Sequence, residues 1–401
     1  MKPLSFNGSG SEYFKIWIVN ILLVIVTLGL YYPWAKVRNY RYFYGNSSLN
    51  DRSFDYHATG RQLFIGYLIA MALFLVYIIV EQLVPLGAPV LLLVLFLAIP
   101  WIIWRSLMFT MRMTSFSNVR FSFAGKLGTA YINFFLLPLL FFICIYALPV
   151  GAAVLLPMYQ AAGGEVPAYV GILLFVAAVL SIPLAFYFFA LMQKKNTSYL
   201  INGSRYGQGE FSTELKTWSF AKIALKTFGL NILVFFVVMF LIGLAVAAVG
   251  MGFENLAQLG SMDNPEEIMM QLFASSGVVI AIILGYITMI AAFFFIMAYM
   301  QTRQRAYVYE NTLLNERIAF ASTLRARSLA WVMISNLLLI ICTAGLAAPW
   351  AKVRIARLML ENTFVDAEGG FDEYITQQQK EQSSLGEQVG DAFDVDVGIA
   401  I

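Results

Sequence analysis

The sequence predicts an all-α polytopic membrane protein, a helical bundle with internal duplication and short cytoplasmic β-hairpins. Three observations predict this: an apolar composition, a one-sided sorting of basic residues between apolar stretches, and an element that occurs near both ends of the chain.

Composition comes first. Of 401 residues, 60% are hydrophobic and 12% charged, with a mean hydropathy of +0.75, far from a soluble globular chain. Charge-free stretches cover 16–35, 62–80, 82–104, 127–164, 166–193, 227–253, 268–302 and 328–351. A membrane helix needs ~20 apolar residues, so each is a candidate membrane segment. The first is followed by Lys36 and Arg38 instead of a small-residue cleavage site, and is expected to be retained.

Charge sorting gives the sidedness. Segments 36–61, 105–126, 194–226 and 303–327 carry 20 of the 26 Lys and Arg residues, whereas the turns near Glu81, near Glu165 and from Glu254 to Glu267 carry acidic residues only. Basic short loops stay cytoplasmic, so the four basic segments face the cytoplasm.

The duplicated element is Thr27-Leu28-Gly29-Leu30-Tyr31-Tyr32-Pro33-Trp34-Ala35-Lys36-Val37-Arg38, matched at Thr343-Ala344-Gly345-Leu346-Ala347-Ala348-Pro349-Trp350-Ala351-Lys352-Val353-Arg354. The match extends without a gap from Asn20 to Arg41 and from Asn336 to Arg357, and defines two bookends, 14–41 and 328–357. Two readings stand. Each bookend crosses once, which puts both termini outside and leaves Lys352, Arg354 and Arg357 on the wrong side of the charge rule. Or each enters the cytoplasmic leaflet and returns, turning at Gly29 and Gly345, with Pro33 and Pro349 opening a new interfacial helix. The charge rule favours the second reading.

Between the bookends lie six spans, near 62–83, 88–112, 128–156, 168–193, 222–250 and 276–302. The cytoplasmic segments share a pattern of Ser or Thr shortly before Asn or Asp, then a Phe. It occurs at Ser47–Asn50 with Phe54, Ser115–Asn118 with Phe121, Thr197–Gly203 with Phe211, Thr312–Asn315 with Phe320, and Thr363–Asp366 with Phe371. Asn and Asp tolerate the positive φ of a tight turn, so these read as hairpins, once with Asn202-Gly203 as the turn. Asn46, Asn196, Asn311 and Asn362 sit where a helix would end and need capping. Isolated hairpins are marginal, so they should pair into one sheet or ring beneath the helices. Residues 1–13 are too short for a domain. Asn264-Pro265-Glu266-Glu267 starts a short outer surface helix. Residues 1–374 form one membrane domain, and the acidic tail 375–401 is expected to be disordered.

Chemistry is sparse. The single histidine, His57, and the two cysteines, Cys144 and Cys342, are too few for a His or Cys metal site or a His-dependent triad. The expectation is a non-enzyme with no metal and no cofactor. Spans carry amides and hydroxyls in place of ionisable relays, which argues against a proton-coupled pump. Asn20, Thr27, Gly29, Asn336, Thr343 and Gly345 are the substrate-pathway candidates, because matched helix breaks mark transporter sites; Asn133 and Asn231 are further polar positions. Trp34, Lys36, Arg38 and Arg41, with Trp350, Lys352, Arg354 and Arg357, are the headgroup candidates. Membrane lipids are the expected partners and nucleic acid is not.

The Thr-x-Gly-Leu-x-x-Pro-Trp-Ala-x-Val-Arg element at Thr27–Arg38 and Thr343–Arg354 resembles that of the bacterial YjgN-type inner-membrane family, a domain of unknown function. The resemblance covers all but the tail. It implies a multi-pass protein of the cytoplasmic membrane of a Gram-negative bacterium and brings no catalytic residues. Transport or handling of a lipid or small neutral solute is the leading expectation. A scaffold that recruits partners through its cytoplasmic hairpins is the competing one.

Overall fold

The structure is a computed structural model and describes residues 1–84, 86–161, 167–248, 276–366 and 373–380. Among these residues six helices are long and apolar enough to cross a membrane. They are α3 (Gly60–Leu83), α4 (Gly87–Met113), the run from α5 (Leu127–Tyr131) through a π-helical turn (Ile132–Leu136) into α6 (Leu137–Ala161), α7 (Ala168–Gly203), α8 (Thr217–Ala248) and α9 (Ser276–Glu310). The expected surface helix at 264–273 lies outside the described residues.

The bookends are helical hairpins, α1 (Gly10–Val26) with α2 (Tyr32–Gly45) and α10 (Ala326–Cys342) with α11 (Ala348–Glu361). Seventeen residues, the length of α1 and of α10, rise only ~26 Å, short of a ~30 Å hydrocarbon core. Both ends of the first hairpin join the sheet, where Phe6 pairs with Ser47, so they lie one strand spacing apart and the segment folds back. The two turns are alike. Leu28 and Gly29 have φ of 50° and 92°, Ala344 and Gly345 of 48° and 91°. At 92°, where an L side chain is strained, glycine is the suitable residue.

The hairpins predicted beneath the helices do not stand apart. They form one antiparallel sheet with described strands β1 (Lys2–Pro3), β2 (Ser5–Phe6), β3 (Ser47–Leu49), β4 (Arg52–Tyr56), β5 (Thr114–Phe116), β6 (Val119–Phe123), β7 (Ser204–Tyr206), β8 (Gly209–Thr213), β9 (Thr312–Leu314), β10 (Ile318–Ser322) and β11 (Thr363–Val365). Three-residue and five-residue strands alternate around it from β3 to β10. Tight turns join them at Asn50-Asp51, Ser117-Asn118 and Asn315-Glu316, whose φ values lie between 48° and 64°, as hairpin turns require.

Several expectations need correction. Asn202-Gly203 is not a turn. It ends α7, Asn202 Oδ1 accepts from Thr213 N at 2.8 Å, and the turn falls at Gly207, φ 58°. Helix α7 therefore runs through Asn196, which caps nothing. Asn46, Asn311 and Asn362 do cap, donating to the carbonyls of Tyr42, Tyr307 and Leu358 at 2.7–2.8 Å. Phe371 of the fifth pattern lies outside the described residues. The pattern's strand β11 pairs with the chain's first residues, Lys2 with Val365.

That pairing closes the sheet. β1 and β2 are halves of one extended segment whose other side pairs with β3, with Leu4 N donating to Thr363 O at 2.9 Å between them. Residues 1–13 thus supply a stave of a barrel and the start of α1. The helical layer closes at the same place by interactions that recur one bookend away. Arg357 donates to Gly8 O and Arg41 to Ala58 O, both at 2.9 Å. Trp350 covers Gly10 and Trp34 covers Gly60 so closely that a Cβ at either glycine would overlap the indole. Ser9 with Glu12 and Thr59 with Gln62 form capping boxes on the helices these glycines open.

Two outcomes follow. A C-terminal reporter active only in the cytoplasm is expected to work and one active only outside to stay silent, since both bookends return to the basic face. Gly10→Val is expected to lower thermal stability in detergent by about 1–3 kcal/mol through overpacking against Trp350, measured by the shift in unfolding midpoint.

Candidate functional site

The barrel interior follows from a period of two. In the five-residue strands the central Phe54, Phe121, Phe211 and Phe320 turn inward, while Ser53, Asp55, Arg120, Ser122, Glu210 and Ser212 are exposed. The short strands add buried Leu49, Phe116, Tyr206, Leu314 and Val365, and Leu4 comes from the closing segment. The rings stack in a chain: Phe54 on Phe116 at 4.6 Å, Phe121 on Tyr206 at 5.1 Å, Phe211 on Phe320 at 5.9 Å. Burial, and then the nearby Tyr374, hold the Tyr206 phenol above its usual range. It remains the donor of a 3.0 Å hydrogen bond to Phe116 O.

These side chains leave a lumen of about 230 Å³. Phe121, Phe211, Tyr309 and Phe320 line it and also line a second space of about 340 Å³ at the helix ends, completed by Met111, Leu200, Ile201 and Val308. The two apolar spaces therefore adjoin, with these four side chains between them. In the membrane layer the spans share little core: none of the apolar windows of α3 and α7 is buried within the protein, and at most 17% of any span's window is. Each packs chiefly on its neighbours along the chain, whereas a bundle with a common core would bury one stripe of every helix.

At the turn end the lumen is capped. Residues 373–380 form a helix, α12, correcting the expectation that the tail is disordered from 375. Residues 381–401 lie outside the described residues. Tyr374, Ile375 and Gln378 lie within a four-residue reach, close to one face of a helical turn. Ile375 is fully buried in the lumen cluster with Tyr374 packed against it. Gln378 Oε1 accepts from Gln208 N and Gln379 Nε2 donates to Ser117 O, both at 2.6 Å. Gly207 and Gly209 leave the room that Gln378 and Tyr374 occupy.

The sequence-predicted residues lie elsewhere. Thr27 and Thr343 staple the bookend turns: each hydroxyl donates to a carbonyl four residues back at 2.7 Å and accepts the N–H four residues on at 3.0 Å. Gly29 and Gly345 form the turns themselves. Asn20 and Asn336, each 3% exposed, accept from Arg38 at 3.5 Å and Arg354 at 2.8 Å, tying the return helix to the entering one. These six do not line the lumen or the space above it. Of the headgroup candidates, Arg38, Arg41, Arg354 and Arg357 are engaged by protein acceptors and Trp34 and Trp350 by glycines, which leaves Lys36 and Lys352 exposed. His57 hydrogen-bonds Ser115 Oγ at 2.7 Å, joining adjacent strands. Asn133, in the π turn, donates to Lys195 O at 3.1 Å, and Asn231 to Thr227 O within its own helix at 2.9 Å. The lumen itself was missed, although the repeated Phe was its signal.

Comparison with known proteins adds a family. The family model described as a bacterial protein of unknown function, DUF898, matches residues 1–392. The chain is similar to Inner membrane protein YjgN of Salmonella typhimurium, 29% identical over 370 residues, covering 91% of this chain and 88% of that one. It is 28% identical over 398 residues to Inner membrane protein YjgN of Escherichia coli K12, covering 95% and 92%. No solved structure matches.

Replacing Ile375 with Asp buries a carboxylate without a partner, a cost of at least ~2 kcal/mol, and is expected to undock α12. In a chain with both cysteines changed to Ser, a thiol at Leu314→Cys should then react faster with a water-soluble maleimide than in the undisturbed background.

Proposed function

This chain belongs to the DUF898 family of bacterial proteins of unknown function, and we propose that it handles a lipid or a small apolar solute held in the barrel lumen and the space above it. It is a multi-pass protein of the inner membrane, as its relatives are named and as its six spanning-length helices require. The charge rule puts the barrel in the cytoplasm.

The observation that carries the reading is the adjacency of two apolar spaces, one inside the barrel and one at the helix ends, with four lining side chains in common. A phenylalanine-lined cavity in a water-facing barrel is costly unless something apolar fills it, since its lining forgoes dispersion contacts. The second space lies at the ends of helices that bury little of their apolar surface in the protein. Large barrels enclose ligands in this manner. The matched bookends, read as an internal duplication, serve as the clamps that hold the helix layer on the barrel. The competing scaffold reading recruits partners through the exposed hairpin turns; among the described strands the closed sheet offers no free edge for a partner to extend.

The test is site-specific photocrosslinking in native membranes. A benzophenone side chain at Phe211 or Phe320 is expected to yield lipid adducts, and the same group at Ser212, on the outer face of the same strand, is not. Adducts absent at both lumen positions, or equally frequent at Ser212, would overturn the reading.

A further inference from the structure

We propose that the space between α2, α3 and α4 is a binding site for the phosphate-bearing headgroup of an anionic phospholipid. This rests on the lipid-handling reading and names the class of lipid. The cavity measures about 490 Å³ and presents Lys36 and Tyr40 from α2, Gln62 from α3, and Arg105, Ser106 and Arg112 from α4. Its lining holds three cations and no carboxylate.

The three cations differ from the arginines that fasten the bookends and α9. Arg38, Arg41, Arg305, Arg354 and Arg357 all donate to protein oxygens. Among the described residues Arg105 and Arg112 meet no acceptor, and Lys36 meets only the face of Tyr40, at 5.8 Å. Arg105 and Arg112 are two helical turns apart and so share a face of α4. Like charges converging on one space repel unless an anion lies between them.

Depth argues in the same direction. Arg105 stands nine residues before the strand that starts at Thr114, ~13 Å up the helix, farther into the apolar layer than the charge rule asks. A cation on an apolar helix is costly, and a phosphate partner offsets that cost through forked guanidinium hydrogen bonds. Tyr40, Ser106 and Gln62 add neutral donors. Leu63 and Phe109 make the wall apolar, and α3 beside it buries none of its apolar window. A phosphate with acyl chains attached matches both halves of this surface, whereas free phosphate matches one.

The experiment uses the full chain in nanodiscs of phosphatidylcholine with and without phosphatidylglycerol, with bound lipid read by native mass spectrometry. The unaltered protein is expected to retain phosphatidylglycerol over phosphatidylcholine by about tenfold, or ~1.4 kcal/mol. The triple variant Lys36→Gln, Arg105→Gln, Arg112→Gln should lose that preference, while Lys352→Gln, at the matched position of the other bookend, keeps it. Arg105→Lys with Arg112→Lys retains the charge and should keep part of the preference, which separates loss of a site from loss of fold. Equal retention by the triple variant, or displacement of the lipid by millimolar inorganic phosphate, would overturn the assignment. Lipid retained without headgroup preference sinks this inference and leaves the lumen reading standing; no retained lipid sinks both.

Discussion

One five-residue segment at the start of the chain occupies both edges of the sheet. Strands of three and five residues are too short to be stable as separate hairpins, and every unpaired edge would expose backbone donors and acceptors. When Lys2–Phe6 pairs with β11 on one side and β3 on the other, the ladder has no edge left among the described strands. The helices inherit that closure. Helix α1 must rise beside α11, and the contacts made there by Arg357 and Trp350 repeat those of Arg41 and Trp34 one bookend along.

The bookends show how a helix break keeps its backbone groups paired. Backbone groups freed at a break need partners within the protein. The threonine hydroxyl supplies one on each side of the turn, accepting from Tyr31 N or Ala347 N while it donates to the helix that enters. Below the turn, a buried asparagine and the arginine of the return helix meet. A pair of this kind satisfies an amide in a place where water cannot reach it, and holds two helices at one register. Leu28, 92% exposed, and Val26, 79% exposed, are left at the tip to face lipid.

The barrel divides polar from apolar along each strand. Serines and charged residues point outward and aromatic residues inward, so a soluble exterior and an oily interior are built from the same five residues. A lumen of this composition would fill with water poorly and with hydrocarbon well. Helix α12 closes its far end with Ile375 and Tyr374, and Gln378 and Gln379 fasten the closure to the hairpin turns. On the side of the helices the lumen adjoins the second apolar space, beneath spans that bury little against one another.

Much of this was legible along the chain. Hydropathy located the six spans, and the Thr-x-Gly-Leu-x-x-Pro-Trp motif marked two similar breaks. The recurring Phe with its turn residues announced hairpins and a shared sheet. Local signals could not show that Thr363–Val365 would pair with Lys2 instead of a strand following it, because that pairing spans nearly the whole chain and leaves no periodicity. Nor could composition reveal that the first residues of a polar tail would plug a barrel, since one isoleucine and one tyrosine carry no pattern until there is a cavity to receive them. Asn20 and Asn336 look the same in sequence whether they line a pathway or lock a hairpin. The sequence by itself determined the membrane setting and the matched elements near both ends, which are visible in hydrophobicity and residue identity over short windows. Only the tertiary structure decided the closure of the ring and the position of the cavity, which depend on contacts between residues hundreds of positions apart.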